Sequence, residues 1–157
     1  MTTLKGIIAA AATPLKADFS IDLDALVAHC GFLLGEGVEA IGPQDVRLFD
    51  SLLGANGGNG VLAQNVGGLL VGAGNRLIDN VSSGVKAFFT SGLVVENVPT
   101  IAGNRGSGIW LADCDGAAVR RSLLPQNRGR GIYALRCAAM AIGPDVAAVT
   151  LTGITMD

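Results

Sequence analysis

Charge and aromatic rings are scarce in this chain. Only 15% of its residues are charged and 4% are aromatic, with one Trp, one Tyr and one His, while 50% are apolar. Low charge beside high apolar content excludes a disordered chain, which buries too little surface to offset the entropy lost on folding. The net charge of −2 supplies no basic field for nucleic acid, so no such partner is expected. A single His at position 29 leaves no Ser-His-Asp arrangement to consider. The three cysteines, Cys30, Cys114 and Cys137, are odd in number and have no metal-type spacing, and dinucleotide and Walker glycine patterns are absent, so neither metal nor cofactor is expected. No run reaches the ~20 apolar residues of a membrane span. Lys5 followed by Gly6 to Ala12 imitates a signal peptide, but Pro14-Leu15-Lys16 interrupts it, which tips the expected location toward the cytoplasm.

What the chain does have is glycine, 23 residues of it, and a repeated phrase. Asn, three residues, Gly, a β-branched residue, any residue, then Ala or Leu occurs four times. The copies are Asn56–Gly60–Val61–Ala63, Asn80–Gly84–Val85–Ala87, Asn104–Gly108–Ile109–Leu111 and Asn127–Gly131–Ile132–Ala134, at steps of 24, 24 and 23 residues. A period of this size means stacked units, none of which buries its own interior alone. Val-x-Ala or Ile-x-Leu puts two residues on one face of a strand. Val46–Phe49, Leu69–Val71, Leu93–Val95 and Ala118–Arg120 read as further strands. Stacked coils make equivalent residues into columns. Asn56, Asn80, Asn104 and Asn127 then form an inward ladder of amides bonded to one another and to turn backbone. Gly60, Gly84, Gly108 and Gly131 are expected where the turn needs a conformation other residues dislike. Cys114 and Cys137, 23 apart, become neighbours in a column of reduced thiols. The pattern resembles the right-handed β-helix repeat of the pectate-lyase-like superfamily over residues 46 to about 136 and, with the final partial coil, to 157.

The first 42 residues read differently. Gly6 to Ala12 reads as a buried strand. Leu23, Leu26, Val27, Cys30, Leu33 and Leu34 recur at helical spacing, with Gly35 or Gly37 as the stop, and Val38 to Ile41 reads as a second strand. His29 lies within this helix as a half-buried polar neighbour. The run from Thr13 to Gly42 resembles the opening βαβ of the dihydrodipicolinate synthase and N-acetylneuraminate lyase family, Schiff-base aldolases on a (β/α)8 barrel, and the resemblance covers residues 4–42. The resemblance stops at Gly42, where Pro43-Gln44-Asp45-Val46 stands in place of the family's carboxylate-binding loop. One βα unit closes no barrel, and no aldolase residue carries over. The expected organisation is a strand–helix–strand cap over 1–42 and a β-helix of about four to five coils over 43–157, a mainly β fold. The abrupt join marks a fusion, a fragment or a constructed chain. Val146 to Ile154 reads as a final partial coil with an open edge.

Chemistry is expected outside the coils. The outward residues between the two inward ones form the column Leu62, Lys86, Trp110, Tyr133. The only Trp and the only Tyr are thereby stacked. Arg105, Arg128 and Arg130 lie on the nearby turn, where they can bind the carboxylates of an acidic saccharide. The competing reading is that the rings pack under a neighbouring segment or subunit, giving a homo-oligomer through the aromatic face or the C-terminal coil. For catalysis, Asp113 and Asp115 are the only close acidic pair in the repeat region. With Arg120 or Arg121 they are weak candidates for a lyase or glycosidase site, which needs two carboxylates across the scissile bond. The expectation is therefore a non-catalytic module for association or saccharide binding. The alternatives are a carbohydrate-active lyase or hydrolase and an inactive aldolase remnant.

Overall fold

The computed structural model describes residues 37–42 and 44–143, together with Lys16, Asp18, Ser20 and Val146. The expected helix over 22–35, the strand at Gly6 to Ala12, His29, Cys30 and all but Val146 of the final partial coil lie outside the described residues.

The described chain forms thirteen short strands and no helix. Coil 1 (37–59) carries β1 (Val38–Ile41), β2 (Val46–Leu48) and β3 (Leu52–Gly54). Coil 2 (60–83) carries β4 (Val61–Gln64), β5 (Leu69–Val71) and β6 (Arg76–Ile78). Coil 3 (84–107) carries β7 (Val85–Phe88), β8 (Leu93–Glu96) and β9 (Thr100–Ala102). Coil 4 (108–130) carries β10 (Ile109–Ala112) and β11 (Ala118–Arg120), and coil 5 begins with β12 (Ile132–Leu135) and β13 (Ala141–Ile142). The strands stack into three parallel sheets. The first runs β1-β4-β7-β10-β12, the second β2-β5-β8-β11-β13 and the third β3-β6-β9. This is a parallel β-helix.

Register follows the repeat without slippage. Val38, Val61, Val85, Ile109 and Ile132 pair in one line across the first sheet, as do Ala40, Ala63, Ala87, Leu111 and Ala134. All ten are inward positions, and from coil 2 onward none of them is more than 2% exposed. Leu69, Leu93, Val71, Val95 and Val119 line the second sheet, and Leu53, Leu77, Ile101 and Leu124 the third side. Each large aliphatic buried this way contributes about 1.5–3 kcal/mol. Val38–Ile41 is the first rung of the solenoid, hydrogen-bonded to β4 in the repeat register. Gly37-Val38-Glu39-Ala40 is thus a further copy of the Gly-β-x-Ala phrase, one whose Asn position holds Leu33.

The asparagine ladder is present. Asn56 Nδ2 donates to Asn80 Oδ1 at 2.7 Å, Asn80 Nδ2 to Asn104 Oδ1 at 2.8 Å and Asn104 Nδ2 to Asn127 Oδ1 at 2.8 Å. Each acceptor oxygen also takes the backbone N–H of the Asn one coil earlier, and the amides of Asn80, Asn104 and Asn127 donate back to the carbonyls of Leu53, Leu77 and Ile101. Ala55, Asp79, Gly103 and Gln126, directly before these Asn, all have positive φ, which turns the chain into the ladder corner. The repeat glycines have another reason than the one expected. Gly60, Gly84 and Gly108 are not in the left-handed region. A Cβ there would meet the carbonyl oxygen of the next coil's equivalent glycine at 2.7 Å and the ladder amide at 2.9–3.1 Å. Space between coils demands the glycine, not dihedral freedom.

Candidate functional site

The outer face of the first sheet carries two columns, fixed by strand alternation. One is Glu39, Leu62, Lys86, Trp110 and Tyr133, and the other is Ile41, Gln64, Phe88, Ala112 and Leu135. Trp110 and Tyr133 are stacked, with ring centroids 6.0 Å apart and planes 30° from parallel. Lys86 Nζ lies 4.9 Å from the Trp110 ring centre and the Arg130 guanidinium 4.8 Å from that of Tyr133. Lys86 is one strand before Trp110 and Tyr133 one strand after, so they cover opposite faces of the indole. A 6.0 Å separation leaves no layer between the rings, so Arg130 covers the outer face of Tyr133. The result is a stack of cation, indole, phenol, cation. Contacts of this kind are worth about 0.5–1 kcal/mol each at exposed sites. Their consequence is positional: the rings present edges rather than free faces, and they hold two cations in place above the sheet.

The turn leading into this face adds two more cations. Arg105 and Arg128 follow the ladder residues Asn104 and Asn127 and occupy equivalent positions one coil apart. The backbone N–H of Arg105 donates to the Asn80 carbonyl at 2.9 Å and that of Arg128 to the Asn104 carbonyl at 2.9 Å. Both side chains are exposed, and neither has a carboxylate partner among the described residues. Of the expected binding set, Trp110, Tyr133 and Arg130 are in mutual ring contact on this face, while Arg105 and Arg128 stand on the turn that leads into it. Lys86 joins the set, a residue whose column was legible but whose contact with the indole was not.

The weak catalytic candidates are not gathered. Asp113 sits at φ 52° in the corner after β10 and accepts two bonds from Arg136, at 2.6 Å from Nε and 2.6 Å from Nη2. The Arg136 guanidinium holds the Asp113 carboxyl below its ordinary value, which suits an anchor rather than a proton donor. Asp115 is exposed and Cys114, buried, points inward between the two acids. Arg121 is on the far side of the second sheet, bonded through Nε to Asn97 at 2.8 Å and paired with Glu96. Arg120 is exposed on that sheet's outer face. Asp113 and Asp115 therefore lie at one edge of β11 and Arg120 and Arg121 at the other.

Two further features bear on chemistry. Cys114 and Cys137 are free, buried and one coil apart. Burial pushes the Cys114 thiol up to about 11, so it stays protonated and unreactive. A groove of about 310 Å³ on the second sheet's outer face is lined by Asp45, Arg47, Leu70, Val94 and Glu96 among others. Its acids are already engaged, Asp45 with Arg47 at 3.1 Å and Glu96 with Arg121. Among the described residues no group of three or more His, Cys, Asp or Glu is placed to hold a metal ion, and no helix is long and apolar enough to cross a membrane.

Comparison with known proteins gives the family. A model described as the right-handed beta helix region matches residues 27–144, three quarters of the chain. No curated protein and no solved structure matches, so nothing supports the aldolase resemblance of the first 42 residues. Three parallel sheets, an in-register asparagine ladder and a family match across the whole stack agree: the chain belongs to the right-handed β-helix family.

Proposed function

We propose that this β-helix is a binding module whose ligand is an acidic saccharide, held on the first sheet over coils 3 to 5. The observation that carries this is the stack of Lys86, Trp110, Tyr133 and Arg130 on the first sheet, with Arg105 and Arg128 exposed on the turn that leads into the same strands. Two of the cations are fixed by ring contacts, and Arg105 and Arg128 are open to a carboxylate. Arg binds carboxylate in a bidentate manner, and ring edges and aliphatic neighbours supply the apolar contact that a sugar's C–H surface needs.

Size supports the same choice. Five strands about 4.8 Å apart and four residues at about 3.3 Å give a face of roughly 20 by 13 Å. That is on the order of 250 Å², against about 800 Å² per partner in a stable protein interface. A short oligosaccharide fits such a face, whereas a permanent protein partner needs a larger one. The engagement of Asp113 by Arg136 and the distance of Arg120 and Arg121 favour binding over hydrolysis or elimination.

The test is equilibrium binding of a uronic-acid oligosaccharide to the intact chain and to an Arg105→Glu/Arg128→Glu variant. The expected result is measurable affinity that falls at least tenfold in the variant and weakens with salt. Equal affinity in the two proteins overturns the assignment of the site. Equal affinity for a duplex DNA of matched charge would replace the saccharide by polyanions in general.

A further inference from the structure

The face that carries the proposed ligand site is also complementary to itself. Charge is graded along the solenoid. Coil 1 has one base, Arg47, against the three acids Glu39, Asp45 and Asp50, while residues 84–143 have seven bases against three acids. On the first sheet this places Glu39 at one end of the outward column and the Tyr133–Arg130 contact at the other. Apolar residues are distributed symmetrically. Ile41, 62% exposed, and Leu135 stand at equivalent positions in coils 1 and 5, Leu62 and Trp110 in coils 2 and 4, and Phe88 in coil 3.

We infer that this face associates with a second copy of the same chain, the two solenoids running antiparallel about a two-fold axis that lies along the strands above coil 3. That rotation sets coil 1 against coil 5 and coil 2 against coil 4 while keeping each residue's position along its strand. Ile41 meets Leu135, Leu62 meets Trp110, Phe88 meets Phe88, and Glu39 meets the end where Arg130 lies on Tyr133. Lys86 is the one like-charged pairing. Its ammonium leans over Trp110 of the next coil, so the two copies of it diverge from the axis rather than meet. The arrangement is isologous and closes at two copies. Its area is far below that of a stable dimer, so the association is weak and reversible. It covers the same residues as the proposed saccharide site, so ligand and second copy compete. Only this competition rests on the saccharide reading; the self-complementarity does not.

Sedimentation equilibrium over a concentration series tests the dimer. At low salt the apparent mass is expected to rise from 15.9 kDa toward twice that value, and to return to the monomer in ~1 M salt, where the screening length is about 3 Å. Glu39→Arg and Ile41→Glu, both at exposed positions, are each expected to raise the dissociation constant about tenfold, and Glu39→Arg with Arg130→Glu to recover part of the loss. A monomer at every concentration overturns the inference, as does a dimer indifferent to both single changes. The Glu39→Arg variant keeps every cation of the ligand site. If it is monomeric and binds the uronic-acid oligosaccharide more tightly than the parent does at concentrations where the parent dimerises, both readings stand. If the parent dimerises as described and neither protein binds the oligosaccharide, the dimer stands and the saccharide reading falls.

Discussion

Two corners of the solenoid obey different rules. At the corner before the first sheet, the column is Asn56, Asn80, Asn104 and Asn127, the same side chain four times. At the corner after it, the column is Gly42, Asn65, Phe89, Asp113 and Arg136, five different residues, all with positive φ between 49° and 79°. The first corner is buried. Asn80 and Asn104 are fully inaccessible, so every amide hydrogen and oxygen must find a partner in the stack. The second corner faces solvent and fixes only the backbone. Any residue that reaches the left-handed region is tolerated there, at a cost that depends on its side chain. A buried polar column dictates identity, and an exposed turn dictates conformation.

Breaking the first corner gives the largest expected effect. Asn80→Ala removes the acceptor of both the backbone and side-chain N–H of Asn56 and the donors to Leu53 and Asn104. Each buried group left without a partner costs about 1–3 kcal/mol, so urea unfolding is expected to show a loss of about 3 kcal/mol or more. At the second corner, Phe89→Asn places a residue suited to the left-handed region where an exposed aromatic sits at φ 51°. The edge-on contact with Phe88 is lost, and the expected net is a gain of up to about 1 kcal/mol, read in the same unfolding curves. The smallest effect is Asp113→Asn, which removes a solvent-exposed pair with Arg136. Because that pair lowers the folded carboxyl, its stabilisation is present above the ordinary carboxylate range and is lost as pH falls through the folded value. Parent and variant should therefore differ slightly at neutral pH and converge in acid. A difference that grows in acid would contradict the pairing.

The same contrast explains what was legible in the sequence. The ladder corner could be read because its residue is always Asn and its step is 23 or 24. The second corner could not, because its five residues share no chemistry. The third sheet was not recognised either. Its strands are three residues long with one inward side chain each, and the signal was an apolar residue three before each ladder Asn: Leu53, Leu77, Ile101 and Leu124. Val38–Ile41 was read as a strand but placed in the cap rather than as a rung of the repeat, because its coil holds Leu33 at the Asn position and a resemblance grouped it with the residues before it. On the first sheet's outer face, alternation alone stacked Trp110 on Tyr133. That Lys86 and Arg130 close off both ring faces depends on side-chain direction, which spacing does not encode.

Trp110 is the only tryptophan in the chain and stands in the middle of the proposed site, so at concentrations where the protein is monomeric its fluorescence reports on that site. The most direct measurement is a titration of the intact protein with a uronic-acid oligosaccharide and with its neutral counterpart of the same linkage. The expected outcome is a saturable change in Trp110 emission with the charged sugar, weakened by salt, and little or none with the neutral one. No change with the charged sugar, or the same change with both, would contradict a site built from held cations.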